Sequence, residues 1–333
     1  MLFSFTKELF EVDDNIKILN KIWYVHSENH RFFQSDIDDI EATEQSQWFQ
    51  ELNDTEKTVY QTAIAATVNS VGKKTVDIGK GYTPEEAWHF LLEPVRIILE
   101  NGVNDAPFLH SLFRCFKQDS KQIVRKIENR LLTFEMGGGS GIRHTLEGLM
   151  NGLNIGCLTK PSHEYLRSFV IIDSDKSYPN EELKQGAVNL INFLEEHGIN
   201  YHVLEKREME NYLPNDAYDD VACNREFIDA YLRLTPEQQD YFDLEKGLPD
   251  INFDRLPNEI QSLFEDVSSE DKKILRKNDL RKFTGSRYDD FKSNFPKLFH
   301  SAKVTKARLI EKTKHQTDPL ELTAIINKVR ELL

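Results

Sequence analysis

The segment Phe169-Val170-Ile171-Ile172-Asp173-Ser174-Asp175 contains the clearest strand of this 333-residue chain. Its first four residues are apolar, which predicts a strand buried on both faces of a parallel sheet. Two carboxylates follow at the point where the strand ends. Because successive side chains of a strand alternate between its faces, we expect Asp173 and Asp175 to point to the same side.

Three further strands are predicted around this one. They are the β-branched run 95–99 and the mainly apolar run 131–134, which precede it, and 201–204, which follows it. Helical patterns over 106–129, 143–151 and 181–197 separate the four strands. The resulting β-α-β-α-β-α-β order predicts an α/β domain over 94–215, with a mostly parallel four-stranded sheet and helices on both faces. Helical patterns flank it in an N-terminal region, 1–93, and a C-terminal region, 216–333.

Acidic residues follow three of the predicted strands. Glu100 ends the first, Asp173 and Asp175 follow the third, and Glu205-Lys206-Arg207-Glu208-Met209-Glu210 ends the fourth. Ligands of open α/β sheets bind outside the carboxyl ends of the strands, so these acids should converge there. Packed carboxylates repel one another, and hard oxygen ligands suit Mg²⁺ or Mn²⁺. We therefore expect one or two divalent cations at this edge. The glycine-rich run 137–141 is either a phosphate loop or a tight turn, and no Walker A motif follows it.

These segments resemble the TOPRIM domain, the metal-binding fold of topoisomerases, bacterial primases and OLD-family nucleases. Residues 97–109, which read IILENGVNDAPFL, resemble the opening of OLD-like members, in which a Glu ends the strand. The segment 169–175 resembles their Asp-x-Asp strand, and 201–214 is similar to their strand that ends in Glu-x-Glu-Asn-Tyr-Leu. The spacing departs at one place, where Asn104 stands at the usual acidic position and Asp105 follows it. Either residue could fill that role.

The resemblance implies a Mg²⁺- or Mn²⁺-dependent nuclease that hydrolyses DNA or RNA. It implies that Glu100, Asp173 and Asp175 are catalytic metal ligands and that Asp105, Glu208 or Glu210 holds a second ion. Lys206 or Arg207 would neutralise charge on the phosphate. OLD-like nucleases work with an ABC-type ATPase, often in anti-phage defence, so the resemblance also implies such a partner in trans.

Two other functions fit parts of the same pattern. A phosphatase of the haloacid-dehalogenase type would use Asp173 as nucleophile and Asp175 as acid, although that Asp-x-Asp normally follows the first strand of its sheet. A TOPRIM-like subunit that only senses or scaffolds is the non-catalytic alternative. A homo-oligomer is compatible with all three functions.

Charge is distributed unevenly over a chain whose formal net charge is −14. Residues 1–93 carry −9 and residues 216–271 carry −12, whereas residues 272–314 carry +10. The basic segment either contacts nucleic-acid phosphates or neutralises the acidic segment before it. Its leading cations, which with Arg207 are the predicted nucleic-acid contacts, are Lys272, Lys273, Arg276, Lys277, Arg281, Lys282 and Arg287.

The remaining composition points to a cytoplasmic protein. No apolar run is long enough to cross a membrane, and acids come too early at the N-terminus for a secretory signal. The three cysteines lie far apart and form no CxxC pair, which argues against a disulfide framework or a zinc ribbon.

Overall fold

The computed structural model describes residues 1–11, 16–26, 30–65, 75–102, 105–138, 141–153, 158–249, 253–276 and 294–333. All statements about structure below concern these residues.

The central sheet has the predicted α/β topology. Its four strands are β4 (Val95–Leu99), β5 (Leu132–Met136), β6 (Ser168–Ile172) and β7 (Asn200–Val203), in the spatial order β5-β4-β6-β7. Every neighbouring pair is parallel. All five residues of β6 are buried, as the apolar run 169–172 predicts. The prediction of a parallel four-stranded sheet is therefore confirmed, with strand ends within two residues of the expected positions.

Helices cover both faces of this sheet. The helices α8 (Ile142–Leu153) and α9 (Gln185–Glu196) pack on one face, against Ile98, Val170 and Ile172. The opposite face carries α6 (Ala106–Cys115) and α7 (Lys117–Glu128), against Ile97, Leu99 and Ile171. Alternate strand residues thus supply two separate cores, and this arrangement requires apolar side chains at every central strand position.

The N-terminal region contains a second sheet, so the expectation of a purely helical region is wrong. Strands β1 (Leu2–Phe5), β2 (Arg31–Phe32) and β3 (Thr75–Ile78) pair in parallel in the order β2-β1-β3. Helices accompany them over the bounds α1 (Ile16–His26), α2 (Ile37–Gln45), α3 (Gln47–Glu51), α4 (Asp54–Ala65) and α5 (Pro84–Leu92). Their common core is largely aromatic, with edge-to-face contacts among Phe3, Phe5, Phe32, Trp23 and Trp48.

The C-terminal region is mainly helical, as predicted, and packs on the sheet. Its helices are α10 (Arg225–Leu232), α11 (Pro236–Tyr241), α12 (Asn258–Leu263), α13 (Ser269–Leu275), α14 (Lys306–Thr313) and α15 (Glu321–Glu331). One hydrophobic core runs without a break from Val95 of β4 to Val329 of α15. The sheet and this region therefore share their core. Among the described helices, none has the length and apolarity that crossing a bilayer requires.

Glu86 ties the N-terminal region to the segment before β6. Its carboxylate accepts hydrogen bonds from the Thr83 N–H at 2.9 Å, the Thr159 N–H at 2.5 Å and the Tyr165 hydroxyl at 2.7 Å. Burial opposes ionisation of Glu86, but these hydrogen bonds outweigh it and lower its pKa to about 2.

We expect Glu86→Gln to lower the free energy of unfolding by about 2 kcal/mol at pH 7, because charge-assisted bonds to a buried carboxylate are lost. A carboxylate with a lowered pKa stabilises the fold above its ordinary pKa, and the benefit disappears as pH falls towards about 2. In urea unfolding, the difference from wild type should therefore shrink as pH falls from about 4.5 towards about 2. The exposed neighbour Glu85 gives the control, Glu85→Gln, and equal stability of the two variants would contradict this role.

Candidate functional site

The predicted acids lie at the carboxyl ends of the central strands. Glu100 follows β4, Asp105 precedes α6, and Asp173 follows β6. Glu208 and Glu210 lie in the turn after β7. Because β4, β6 and β7 are consecutive in the sheet, their three exit segments meet at one edge.

Asp173 occupies the centre of this group. Its Oδ1 atom is buried and accepts no hydrogen bond, although the residue as a whole is only half-buried. Burial raises the pKa of Asp173 well above its usual range, and repulsion by the surrounding carboxylates adds to the effect. The carboxylates that repel it belong to Glu210, Asp105, Glu208 and Glu100. Four acids from the loops after β4 and β7 therefore act on Asp173, and we call these five residues the carboxylate cluster.

Glu208 also interacts with two acids outside the cluster, Asp243 and Asp175. Burial raises its pKa to about 8, with further repulsion from Glu210, Asp243 and Asp175, while Arg207 acts in the opposite direction. Glu208 thus repels both Asp173 and Asp175. Asp243 was not predicted, because it belongs to a segment without a motif, 35 residues beyond Glu208.

Asp175 lies beside the cluster in a conformation that strand alternation does not describe. The strand β6 ends at Ile172, and Asp175 has a left-handed backbone with φ of 55°. Its N–H donates to the Arg207 carbonyl at 2.9 Å, and its carboxylate pairs with Lys184 at 2.8 Å. The alternation argument for a common face of Asp173 and Asp175 therefore fails, although Glu208 lies near enough to repel both.

Asp105 closes the loop that follows β4. Its Oδ2 accepts the Asn101 N–H at 2.7 Å, and its own N–H donates to the Asn101 carbonyl at 2.8 Å. The same carboxylate contributes to the raised pKa of Asp173. Asp105 therefore lies in the cluster, whereas Asn104 falls outside the described residues.

The glycine-rich run holds the backbone of Glu100 in place. The Gly137 N–H donates to the Leu99 carbonyl at 2.7 Å and the Gly138 N–H to the Glu100 carbonyl at 2.8 Å. Gly138 has a φ of 61°, and a Cβ on Gly137 would come within 2.3 Å of the Ile142 side chain. Glycine is required at both positions for these reasons. Gly137 and Gly138 thus fix the exit of β5, while residues 139 and 140 of the predicted glycine-rich run fall outside the described residues.

Arg207 is buried at the border of the cluster. Its Nη1 donates to Ser177 Oγ at 3.0 Å and its Nη2 to Asp243 Oδ2 at 3.0 Å. Its Nε lies 3.4 Å from Glu208 Oε1, an ion pair without hydrogen-bond geometry. This guanidinium therefore contacts an acid of the cluster directly.

Lys206 points the other way and does not reach the cluster. Its side chain is fully buried, forms an ion pair with Asp240 and donates to the Lys312 carbonyl at 3.0 Å. Burial lowers its pKa, against the attraction of Asp240. In this structure Lys206 supports the fold under the β7 turn, and the predicted contact with a phosphate is not available to it.

The Asn-Tyr-Leu part of the motif after β7 anchors the turn to the C-terminal region. Asn211 Nδ2 donates to the carbonyls of Gln239 and Phe242, at 2.7 and 2.9 Å, and the Tyr212 hydroxyl donates to Glu321. Leu213 is fully buried. The motif therefore positions Glu208 and Glu210 by fixing the turn that carries them.

The two halves of the basic segment 272–314 differ in how much of them is described and in the ion pairs that their cations form. Lys277, Arg281, Lys282 and Arg287 fall outside the described residues, while Lys272, Lys273 and Arg276 lie on α13 or directly after it. In the second half, the cations pair mostly with acids elsewhere in the chain. These pairs are Lys303 with Asp219 and Asp220, Lys306 with Asp119, and Arg308 with Asp216. The second half therefore neutralises the acidic segment, which was one of the two alternatives.

Within the described ranges, no three His, Cys, Asp or Glu side chains are already arranged as a metal-ligand set. The carboxylates lie near enough to repel one another without converging on one point. Their chemistry nevertheless suits a hard divalent cation, since Asp173 presents a buried oxygen with no donor and four further acids surround it. Binding an ion would require side-chain rotations.

No family model, curated protein or solved structure matches this chain. Its function is therefore inferred from its own residues and their geometry.

Proposed function

We propose that this chain is a metal-dependent nuclease of the TOPRIM type that hydrolyses phosphodiester bonds in DNA or RNA. The observation that supports it is the carboxylate cluster around Asp173, at the sheet edge where α/β proteins bind ligands. Five acids that share a site and shift the pKa of the central one are characteristic of functional sites.

In this proposal Glu100 and Asp173 hold the first divalent cation, and Asp105, Glu208 and Glu210 hold a second. Asp175, on the far side of Glu208, completes the acidic surface. A bound cation supplies an activated water and stabilises the leaving oxygen. The neighbouring carboxylates repel the ionised forms of Asp173 and Glu208, and a bound cation would relieve that repulsion.

The cations of the chain have separate tasks in this proposal. Arg207 lies beside Glu208 and presents its guanidinium to a phosphate at the edge of the cluster. Lys184, which is largely exposed and pairs with Asp175, contacts the neighbouring phosphate. Lys206 orients the β7 turn from below.

We also propose that an ABC-type ATPase acts with this chain, in keeping with the resemblance to OLD-like nucleases of anti-phage defence. The net charge of −14 supports this partnership, since a strongly acidic chain binds nucleic acid weakly by itself. Activity of the isolated chain should be low and should rise in the presence of the partner.

The test is cleavage of plasmid, single-stranded DNA and total RNA in Mg²⁺ or Mn²⁺, with and without a co-expressed ATPase. We expect metal-dependent cleavage that EDTA abolishes and that Glu100→Gln and Asp173→Asn each reduce about 100-fold or more. The matched control is Asp229→Asn, which removes an exposed carboxylate paired with Arg225. Cleavage unchanged in both site variants would contradict the proposal.

The same assay separates the two alternatives. Release of phosphate from small phosphomonoesters, lost in Asp173→Asn, would indicate a phosphatase of the haloacid-dehalogenase type. Failure to cut any of these substrates under all conditions, with the ATPase present, would indicate a non-catalytic subunit.

A further inference from the structure

A cavity of about 340 Å³ adjoins the carboxylate cluster. It opens between the exit of β7 and the segment 241–264. Its floor is apolar, and Phe242, Leu248 and Phe264 contribute almost fully buried side chains to it. Tyr241 and Ile260, both half-buried, line it as well. The volume lies in the range of small-ligand sites.

Arg207 forms the wall between this cavity and the cluster. Its guanidinium donates to Ser177 and Asp243, which both line the cavity, while its Nε lies 3.4 Å from Glu208 Oε1. One guanidinium group thus separates the cavity from an acid of the cluster. A ligand in the cavity would be within reach of a phosphate held at Arg207.

One lysine stands at the rim of the cavity, and the described start of the basic segment is joined to the cavity wall. Lys246 stands at the opening and is largely exposed. The Leu248 N–H donates to the Leu275 carbonyl at 3.0 Å, so the end of α13 is fastened to the cavity wall. Lys272, Lys273 and Arg276 belong to that end. Within the described lining, Lys246 and Arg207 supply the positive charge that a phosphate backbone passing the cavity would meet.

We infer that this cavity, the base pocket, receives one unpaired nucleobase of a single-stranded nucleic acid whose adjoining phosphate lies at Arg207 and the carboxylate cluster. This inference rests on the proposed nuclease function and narrows its substrate to single strands. An apolar, partly aromatic floor suits the face of any base, and a cationic rim suits its phosphate. A base within a duplex must leave its stack before it can enter such a pocket, which makes duplex a poorer ligand.

The experiment measures binding and cleavage separately. Fluorescence anisotropy in EDTA reports binding of labelled dT₁₂, of rU₁₂ and of a DNA duplex, and cleavage is followed in Mn²⁺. Tyr241→Ala removes an aromatic wall, and Ile260→Trp fills the pocket. The matched controls are Tyr24→Ala and Ile37→Trp, at positions exposed by 53% and 70%.

We expect both pocket variants to weaken binding of a single strand about tenfold and to leave weak duplex binding unchanged, while the controls match wild type. Tyr241→Ala enlarges the pocket and Ile260→Trp fills it. Circular dichroism shows whether each variant is folded, and if one of them misfolds, the other still tests the pocket. If dT₁₂ is affected and rU₁₂ is not, the pocket serves DNA; the reverse result assigns RNA.

Three results would overturn the base pocket. They are wild-type binding of single strands in both pocket variants, equal losses for duplex and single strand, and no detectable binding of a single strand by wild type. If wild type cuts nucleic acid and both pocket variants cut single strands as well as wild type does, the base pocket is refuted and the proposed nuclease function is retained. If wild type never cuts but binds single strands through the pocket, the nuclease fails and the pocket stands.

Discussion

Replacing Asp173 with asparagine should make the protein more stable in the absence of divalent cations and should abolish metal-dependent cleavage. The substitution keeps the shape of the side chain but removes a carboxyl group whose ionisation is opposed by burial and by four neighbouring acids. Relief of such strain at a functional site is worth about 1–2 kcal/mol. For a chain of this size the melting temperature should rise by several degrees.

The stability that Asp173→Asn gains over wild type depends on pH, and the shifted pKa values of Asp173 and Glu208 determine the direction of that dependence. The pKa values of Asp173 and Glu208 in the folded protein lie above their ordinary values, the latter at about 8. Below a pH of about 4, ionisation of these two acids does not affect the stability of the folded protein. As pH rises towards their pKa values in the folded state, the protein becomes less stable. Asp173→Asn should stabilise the protein more at pH 8 than at pH 5.

Thermal unfolding of wild type and Asp173→Asn at both pH values, in EDTA and in Mn²⁺, measures these effects. Mn²⁺ should raise the melting temperature of wild type and have little effect on the variant, because only wild type keeps the central ligand. Asp229→Asn controls for loss of an unspecific negative charge. A variant less stable than wild type in EDTA at pH 8 would contradict our description of the cluster.

Replacing Glu321 with alanine should produce the largest loss of stability, about 3 kcal/mol or more. Its buried carboxylate accepts bonds from His202 Nε2 at 2.9 Å, the Glu205 N–H at 2.8 Å, Gln316 Nε2 at 2.8 Å and the Tyr212 hydroxyl. Burial opposes its ionisation, but these bonds outweigh burial and lower its pKa. Removing the acceptor leaves several buried donors without a partner, and each is costly.

Glu321→Ala should also disturb the carboxylate cluster, because Glu321 fastens the start of the turn after β7 to α15. Glu321→Ala should therefore weaken Mn²⁺ binding as well as lower the urea midpoint. Since the pKa of Glu321 is lowered, its stabilising effect is present above about pH 4.5 and is lost as pH falls. Glu331→Ala, an exposed position on the same helix, is the control. A loss no larger than that of the control would contradict the anchoring role.

The sequence was sufficient to predict the central sheet and the acids at its edge. Buried parallel strands are rich in apolar residues, so 169–172 and, with the exception of Arg96, 95–99 stand out. The carboxyl ends of parallel strands share an edge. That reasoning places Glu100 and Asp173 together without knowledge of any other contact. It extends to Glu208, because β7 is the neighbour of β6.

Other features depend on contacts between distant segments that no local pattern reveals. The strands β1, β2 and β3 have only two to four residues, too few for alternation to be recognised. Lys206 and Arg207 are adjacent in sequence but point to opposite sides of the chain, one towards Asp240 and the other towards Glu208. Only the folded C-terminal region supplies Asp240 and Asp243, and with them the wall of the base pocket.

The most direct test of the carboxylate cluster as a metal site is titration of Mn²⁺ into the full chain by calorimetry. Wild type and Asp229→Asn should bind one or two ions with equal affinity, and Asp173→Asn should lose at least about tenfold in affinity, or about 1.4 kcal/mol. Equal binding by all three proteins, or no binding by wild type, would contradict the assignment.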